Sequence, residues 1–208
     1  MIVLQRSAGE HEVLGETIDD AVGEAYDKVA KLLCLGYPGG PLIDRLAASG
    51  TAARCPLRLT APMSHPDSLE FSFSGVKSAI ARHAEGSAAP RNAAELADLC
   101  AHFQDTLVSV LVKKTLRAAR RFGRQRVVLA GGVAANRQLR TQMAAACERA
   151  GLALWVPDLV SCTDNAAMIA YAGALALERG ERMALAAGPS SQTVLGRLTR
   201  KGGGKRAS

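Results

Sequence analysis

In the stretch GETIDDAVGEAYDK, three carboxylates, Asp20, Glu24 and Asp27, fall at i, i+4 and i+7, the spacing that puts them on one helix face. Clustered acids can bind ribose hydroxyls or a metal ion. The same residues also make an ordinary solvated face, with Glu24–Lys28 and Asp27–Lys31 as weak i,i+4 ion pairs. A second stretch, VVLAGGVAANRQLR, carries an apolar β-branched run into Gly131-Gly132 and straight into a helix. Glycines let the backbone approach a ligand, and a helix N-terminus offers free N–H groups to an anion. A tight turn that serves packing alone uses the same glycines. The pattern is neither G-x-G-x-x-G nor a P-loop, so it names no ligand. Asn136 is placed in the first helical turn, where its amide can reach a ligand or cap the backbone.

Two further stretches carry candidate chemistry. In Ser161-Cys162-Thr163-Asp164-Asn165, Thr163 or Asp164 is expected to cap the apolar helix that follows. The alternative is that Asp164, a hard oxygen donor at the end of a strand and loop, points into a crevice and takes a divalent cation. The hydroxyls, glycine and lysine of Phe71-Ser72-Phe73-Ser74-Gly75-Val76-Lys77 suit either a phosphate contact or a helix start after a turn.

These residues need elements to position them. Residues 1–5 read as a strand, and residues 18–33 as a helix with Val22, Ala25, Val29 and Leu32 or Leu33 on one side. Tyr37-Pro38-Gly39-Gly40-Pro41 breaks that helix, and Pro41 suits the first turn of the next, over 42–48. Residues 50–70 read as irregular and 76–84 as helical. The strongest periodicity runs from 92 to 121, with Leu96, Leu99, Phe103, Leu107, Leu111 and Leu116 on one broad face and cations at the C-terminal end. A strand over 126–130, a helix over 134–150, a strand over 152–156 and a helix over 163–178 predict a parallel α/β unit. Residues 196–208 read as a flexible basic tail.

Composition narrows the class. The chain has 208 residues, 48% hydrophobic and 22% charged, with a mean hydropathy of +0.06. Its longest uncharged apolar run, 166–177, falls short of the roughly 20 residues that span a bilayer. No signal-peptide pattern opens the chain. Five scattered cysteines and four histidines show no C-x-x-C or H-x-x-x-H spacing. These features predict a cytoplasmic protein with reduced thiols and no membrane segment. The net charge of +7 favours an anionic partner, nucleic acid above all, although a solvated basic tail accounts for part of it. Aromatics are only 4%, so nucleic-acid contact would rest on phosphates and shape rather than stacking.

Taken in order, GETIDDAVGEAYDKVAKLLCLGYPGGPLIDRLA, FSFSGVKSAI, LAGGVAANRQLR and CTDNAAMIAYAG closely resemble the bacterial tRNA N(6)-adenosine threonylcarbamoyltransferase family, formerly labelled glycoprotease or O-sialoglycoprotein endopeptidase. The resemblance runs to about Gly188. It implies an α/β fold, the C-terminal ribonuclease-H-like lobe of the actin/Hsp70/sugar-kinase superfold with a helical insertion. On this reading residues 1–195 form the lobe, with the insertion roughly at 19–124 and the core roughly at 125–180, and the N-terminal lobe is absent. The implied activity is transfer of a threonylcarbamoyl group from threonylcarbamoyl-adenylate to N(6) of the adenosine beside the tRNA anticodon. By position, Asp27 matches the carboxylate on the nucleotide ribose, Gly40 a backbone contact to the nucleotide and Asn136 a polar contact to it. Asp164 matches a ligand of one divalent metal, iron or zinc. An inactive paralogue, a small ATPase and a separate adenylate-forming enzyme are the implied protein partners.

The sequence also departs from the family pattern. The acidic phosphate loop, the H-x-x-x-H pair and the S-G-G-H segment of the N-terminal lobe are not present, so Asp164 is left without its histidine partners. Glu70 stands where the family often has Asp, and Cys34 where it often has Gly. The expectation is a piece of the transferase that is inactive alone. The alternatives are a non-catalytic tRNA- or partner-binding lobe, and a sugar- or acid-kinase relative of the same superfold. No nucleophile–base constellation supports the old protease label.

Overall fold

A computed structural model describes residues 1–7, 9–60, 65, 67–87, 89–182, 188 and 196–197. The chain opens with an antiparallel pair, β1 (Ile2–Ser7) and β2 (Glu10–Gly15). The first strand matches the expected one but buries only Leu4. Its partner was missed, because EHEVLG is short and half charged. Residues 196 and 197, expected in the tail, instead form β5 (Gly196–Arg197), parallel to β2. Residues 198–208 of the expected tail lie outside the described residues.

Four helices lie between β2 and the next strand. The first, α1 (Val22–Leu32), starts later than its periodicity predicts. Residues 17–20 are committed elsewhere: Ile18 N–H donates to Phe71 O at 2.9 Å and Thr17 Oγ1 to Asp20 O at 2.8 Å. Next come α2 (Gly39–Ala47), with Pro41 in its first turn as expected, and α3 (Ser74–Glu85). The 29-residue α4 (Ala93–Arg121) follows the predicted period, and Asn92 caps it by accepting from Glu95 N–H at 2.9 Å. The helices close around Tyr26, Val29, Ile43, Phe73, Ile80, Leu99, Phe103 and Leu107. Tyr26 meets Phe103 edge-on, with ring centroids 5.0 Å apart.

The far half of α4 faces a second core, where Val108, Val112 and Ala119 pack with Val127, Leu139, Met143 and Ala146. This belongs to the parallel unit: β3 (Arg126–Val128), α5 (Arg137–Arg149), β4 (Ala153–Trp155) and α6 (Ala166–Glu178). The strands pair in parallel, Val127 opposite Leu154, so the expected order holds. The apolar run over 126–130 reads as a buried strand, but only Val127 of β3 is buried and Val128 is 67% exposed. The helix expected over 134–150 is split: a 3-10 turn at Gly132–Ala135 precedes α5, and Asn136 is the cap of α5 rather than a first-turn residue. The cap of α6 is Asn165, which accepts from Met168 N–H at 3.1 Å, not Thr163 or Asp164. The molecule is a mixed α/β protein.

Candidate functional site

The three clustered acids divide. Asp20 precedes α1, so it does not share a helix face with the other two. It pairs with Lys28 at 2.6 Å and Lys77 at 3.7 Å, while Glu24 pairs with Lys28 at 2.8 Å. Glu24–Lys28 is the expected i,i+4 pair, with Glu24 exposed, whereas the Asp20 pairs are unexpected and its side chain is largely buried. Asp27 is different. It makes no ion pair with Lys31 among the described residues; its Oδ1 accepts from Gly39 N–H, the first residue of α2, at 2.8 Å. It also lines an open recess of about 500 Å³ with Lys28, Lys31, Cys34, Gly36 and Tyr37. A carboxylate held at one oxygen by a backbone donor keeps its other lone pairs for a hydroxyl.

The two glycines of YPGGP have separate roles. A Cβ on Gly39 would stand 2.6 Å from Ala30 Cβ and 2.7 Å from Tyr26 O, so α2 can start against α1 only with glycine there. A Cβ on Gly40 would meet nothing within 4 Å. Its backbone therefore borders open space, as a ligand contact requires.

The glycine turn leans on the same two helices. Val133 Cγ2 lies 3.6 Å from where a Cβ on Gly23 would be, and Gly131, at φ +82°, makes the turn from strand to helix. The side chain of Asn136 is occupied: Oδ1 accepts from Leu139 N–H at 2.9 Å, and Nδ2 donates to Gln104 Oε1 at 2.8 Å and to Asp44 Oδ1 at 3.3 Å. Gln104, 2% exposed, is the centre of this network. Its Oε1 also accepts from Tyr26 Oη at 3.4 Å, and its Nε2 donates to Asp44 Oδ1 at 3.1 Å and Gln138 Oε1 at 3.0 Å. Burial, and then the Asp44 charge, push the Tyr26 phenol far above its usual range, so it stays a donor. Asp27, Gly40 and Asn136 thus sit on adjoining elements, α1, α2 and the turn before α5.

The FSFSG hydroxyls are committed within the fold. Asp19 accepts from Ser72 Oγ, from Phe73 N–H at 2.7 Å and from Ser74 Oγ at 2.7 Å, so it caps α3 from a distance. Desolvation pushes its pKa up, but these hydrogen bonds together outweigh it and hold the carboxyl below its ordinary value. Sequence reasoning singled out neither Asp19 nor Gln104.

Asp164 lies beyond the C-terminal end of β4, and the glycine turn beyond that of β3. One guanidinium ties the two segments. Arg140 Nε donates to Ala134 O at 2.6 Å, and its Nη2 donates to Pro157 O at 2.7 Å and Cys162 Sγ at 3.1 Å. Arg140 too was missed, since an arginine on an amphipathic helix reads as solvated. Asp164 itself is exposed. Among the described residues no three His, Cys, Asp or Glu side chains converge as metal ligands. A single exposed carboxylate does not hold iron or zinc by itself, so this chain's donors do not fit a complete metal site.

Fold and site together define a mixed α/β protein in which a helical block carrying Asp27 and Gly40 adjoins the loops beyond the C-terminal ends of two parallel strands. Residues 1–171 match the family profile described as tRNA N6-adenosine threonylcarbamoyltransferase. A relative of that name from Sorangium cellulosum (strain So ce56) is 63% identical over 193 residues, 93% of this chain and 54% of its own length. Another, from Acidovorax sp. (strain JS42), is 51% identical over 174 residues, covering 84% of this chain and 49% of the relative. A third, from Chromobacterium violaceum, is 49% identical over 179 residues, 85% of this chain and 52% of its own. The chain belongs to the tRNA N6-adenosine threonylcarbamoyltransferase family. It spans about half the length of the curated relatives it matches. Among the described residues no helix is long and apolar enough to cross a membrane.

Proposed function

We propose that this chain forms one wall of a threonylcarbamoyl-adenylate site and serves the transfer of the threonylcarbamoyl group to N(6) of the adenosine beside the tRNA anticodon. The observation that carries the reading is Asp27, bonded through one oxygen to Gly39 N–H, on a recess of about 500 Å³, with Gly40 unobstructed beside it. In this reading Asp27 accepts from the ribose hydroxyls and the Gly40 backbone borders the nucleotide. The turn ending in Asn136 closes the neighbouring side, Asn136 contributing through its backbone and its hold on Asp44 and Gln104.

The donor is an activated acyl-phosphate. The amine forms a bond to the carbamoyl carbon, the bond from that carbon to the phosphate oxygen breaks, AMP leaves, and the amine proton passes to solvent. Orientation is then the main requirement on the protein, and no side-chain nucleophile is assigned. Asp164 is proposed as one ligand of a divalent iron or zinc ion whose other ligands come from outside this chain; no step is routed through it.

The same reading places residues 1–195 in the C-terminal ribonuclease-H-like lobe of the actin/Hsp70/sugar-kinase superfold, in a cytoplasmic enzyme. Its protein partners would be an inactive paralogue, a small ATPase and the enzyme that makes the adenylate.

Titration of AMP into the 208-residue chain, followed by amide NMR, tests the site. Shifts are expected at Asp27, Gly39 and Gly40, and Asp27→Asn should weaken binding about tenfold, the loss of one charge-assisted hydrogen bond. Saturable shifts confined to another part of the chain, or unaltered affinity in the variant, would reject it.

A further inference from the structure

Residues 113–126, KKTLRAARRFGRQR, hold seven cations and no carboxylate, matching the whole chain's formal +7. Two are used inside the fold. Lys114 is 3% exposed, donates to Glu70 O and lies 5.1 Å from the centroid of the Phe71 ring. Burial and then Arg117 lower its pKa, against an opposing pull from Glu70. Arg117 donates to the carbonyls of His65 and Ser68, each at 3.1 Å. The other five, Lys113, Arg120, Arg121, Arg124 and Arg126, are exposed, and none forms an ion pair among the described residues. Arg121 is partly engaged, donating to Asp67 O at 3.3 Å. The carbonyls of Asp67 and Glu70 accept from the segment. The Glu70 charge acts on buried Lys114, but among the described residues neither carboxylate forms an ion pair with the five exposed cations.

The helix dipole accounts for cations in the last turn of α4 only. Its field fades within a turn, whereas Lys113 lies about two turns from the helix end, and Arg124 and Arg126 lie beyond it. Lys113, Arg117, Arg120 and Arg121 fall at i, i+4, i+7 and i+8, on one side of the helix. They span about 12 Å, and Arg124 and Arg126 carry the charge on to the start of β3. That length suits several successive phosphates better than one. Guanidinium groups favour phosphate oxygens, and with aromatics at 4% such a surface positions a backbone without reading bases.

We propose that residues 113–126 form a phosphate-backbone contact surface for structured RNA, remote from the adenylate recess; this rests on the tRNA reading above. Arg126 opens β3, whereas the Gly131-Gly132 turn follows its other end. Gln104, which bonds Asn136, lies 9 residues before Lys113 and 17 before Arg121 on α4, or about 14 to 25 Å along the helix. A folded RNA can engage the recess and the whole length of this surface together, whereas a single nucleotide cannot reach its far end.

Binding of an unmodified tRNA transcript to the full 208-residue chain, measured across a salt series, is the test. Combined Arg120→Ala, Arg124→Ala and Arg126→Ala should weaken binding about tenfold or more and flatten the log–log salt slope by about 2 to 3, the counterions of three lost phosphate contacts. Lysine at the same three positions should restore most of the binding. Truncation after Gly188, which removes the cations of the tail, should change the slope less than the alanine triple does. All three arginines are exposed, so an unchanged Tm is expected to accompany the loss. Three outcomes would overturn the proposal: no tRNA binding by the unmutated chain, binding that the alanine triple leaves intact, or loss only of binding to phosphatidylglycerol vesicles. Because AMP binding is read separately, failure of the recess and failure of this surface are distinguishable.

Discussion

The helical block and the parallel unit treat their apolar residues in opposite ways. In the block, Val29, Ile43 and Ile80 are 0% exposed and Phe103 is 1% exposed. In the parallel unit, α5 seals one face of the strand pair, but α6 contains no buried residue, with Ile169 75% and Tyr171 69% exposed. Both regions have apolar helices, so composition does not separate them. What separates them is whether neighbouring elements of the described chain supply a second face. Amphipathic helices α1 to α4 close on one another, whereas α6 is apolar around its circumference and has no residue buried by the described chain. The comparison predicts a steep contrast in the cost of substitutions.

The largest effect belongs to the closed core. Phe103→Ala removes the edge contact with Tyr26 and opens a cavity among Ile43, Leu99 and Leu107; a loss of about 3–5 kcal/mol is expected by urea denaturation. A loss under about 1 kcal/mol would mean that the helical core is not close-packed. Next is the joint between the regions. Gln104→Ala strips partners from Tyr26, Asn136, Asp44 and Gln138 together, in a site with little access to water. A loss of about 2–4 kcal/mol is expected, with the fluorescence of Trp155 reporting the parallel unit. If that transition separates from the far-ultraviolet dichroism transition, the network couples two units that otherwise unfold apart. Coincident transitions with little loss would remove Gln104 as the joint.

How legible each region was follows from the range of the forces that build it. The 29-residue α4 declares itself locally, because its period repeats over eight turns and Asn92 and Glu95 mark its start. The parallel order of β3, α5, β4 and α6 was readable for the same reason. The cap of α6 was not, since Thr163, Asp164 and Asn165 are three adjacent residues of similar capping strength and only the tertiary path selects one. Asp27 could be named as a candidate, but what distinguishes it from Asp20 and Glu24 is the Gly39 N–H twelve residues away. Gln104 and Arg140 carried no signal at all: each is an ordinary polar residue of an amphipathic helix until distant loops converge on it. The exposure of α6 was equally hidden, because an apolar sequence specifies a need for cover without specifying what provides it.

A smaller effect is expected at the edge of the recess. Cys34 has φ +55°, the left-handed region that a side chain disfavours and glycine adopts freely. The family's frequent Gly at this position has that physical reason. Cys34→Gly should stabilise the chain by about 0.5–1 kcal/mol, strain relief exceeding the added entropy of the unfolded chain. A destabilised variant would show that the thiol makes contacts worth more than the strain.

The smallest effect is the most informative about the contrast between the regions. Ile169→Ser with Tyr171→Ser replaces two large apolar side chains on α6, a change that would cost several kcal/mol inside a core. Here the expected change in stability is within about 0.5 kcal/mol, because side chains this exposed lose little solvent contact on folding. Binding of a hydrophobic dye to the native chain should fall at the same time, since the double variant removes two of the exposed large apolar side chains of α6. A loss above about 2 kcal/mol, with dye binding unchanged, would mean that the face is covered in solution. The two regions would then differ in what covers their apolar helices and not in whether they are covered.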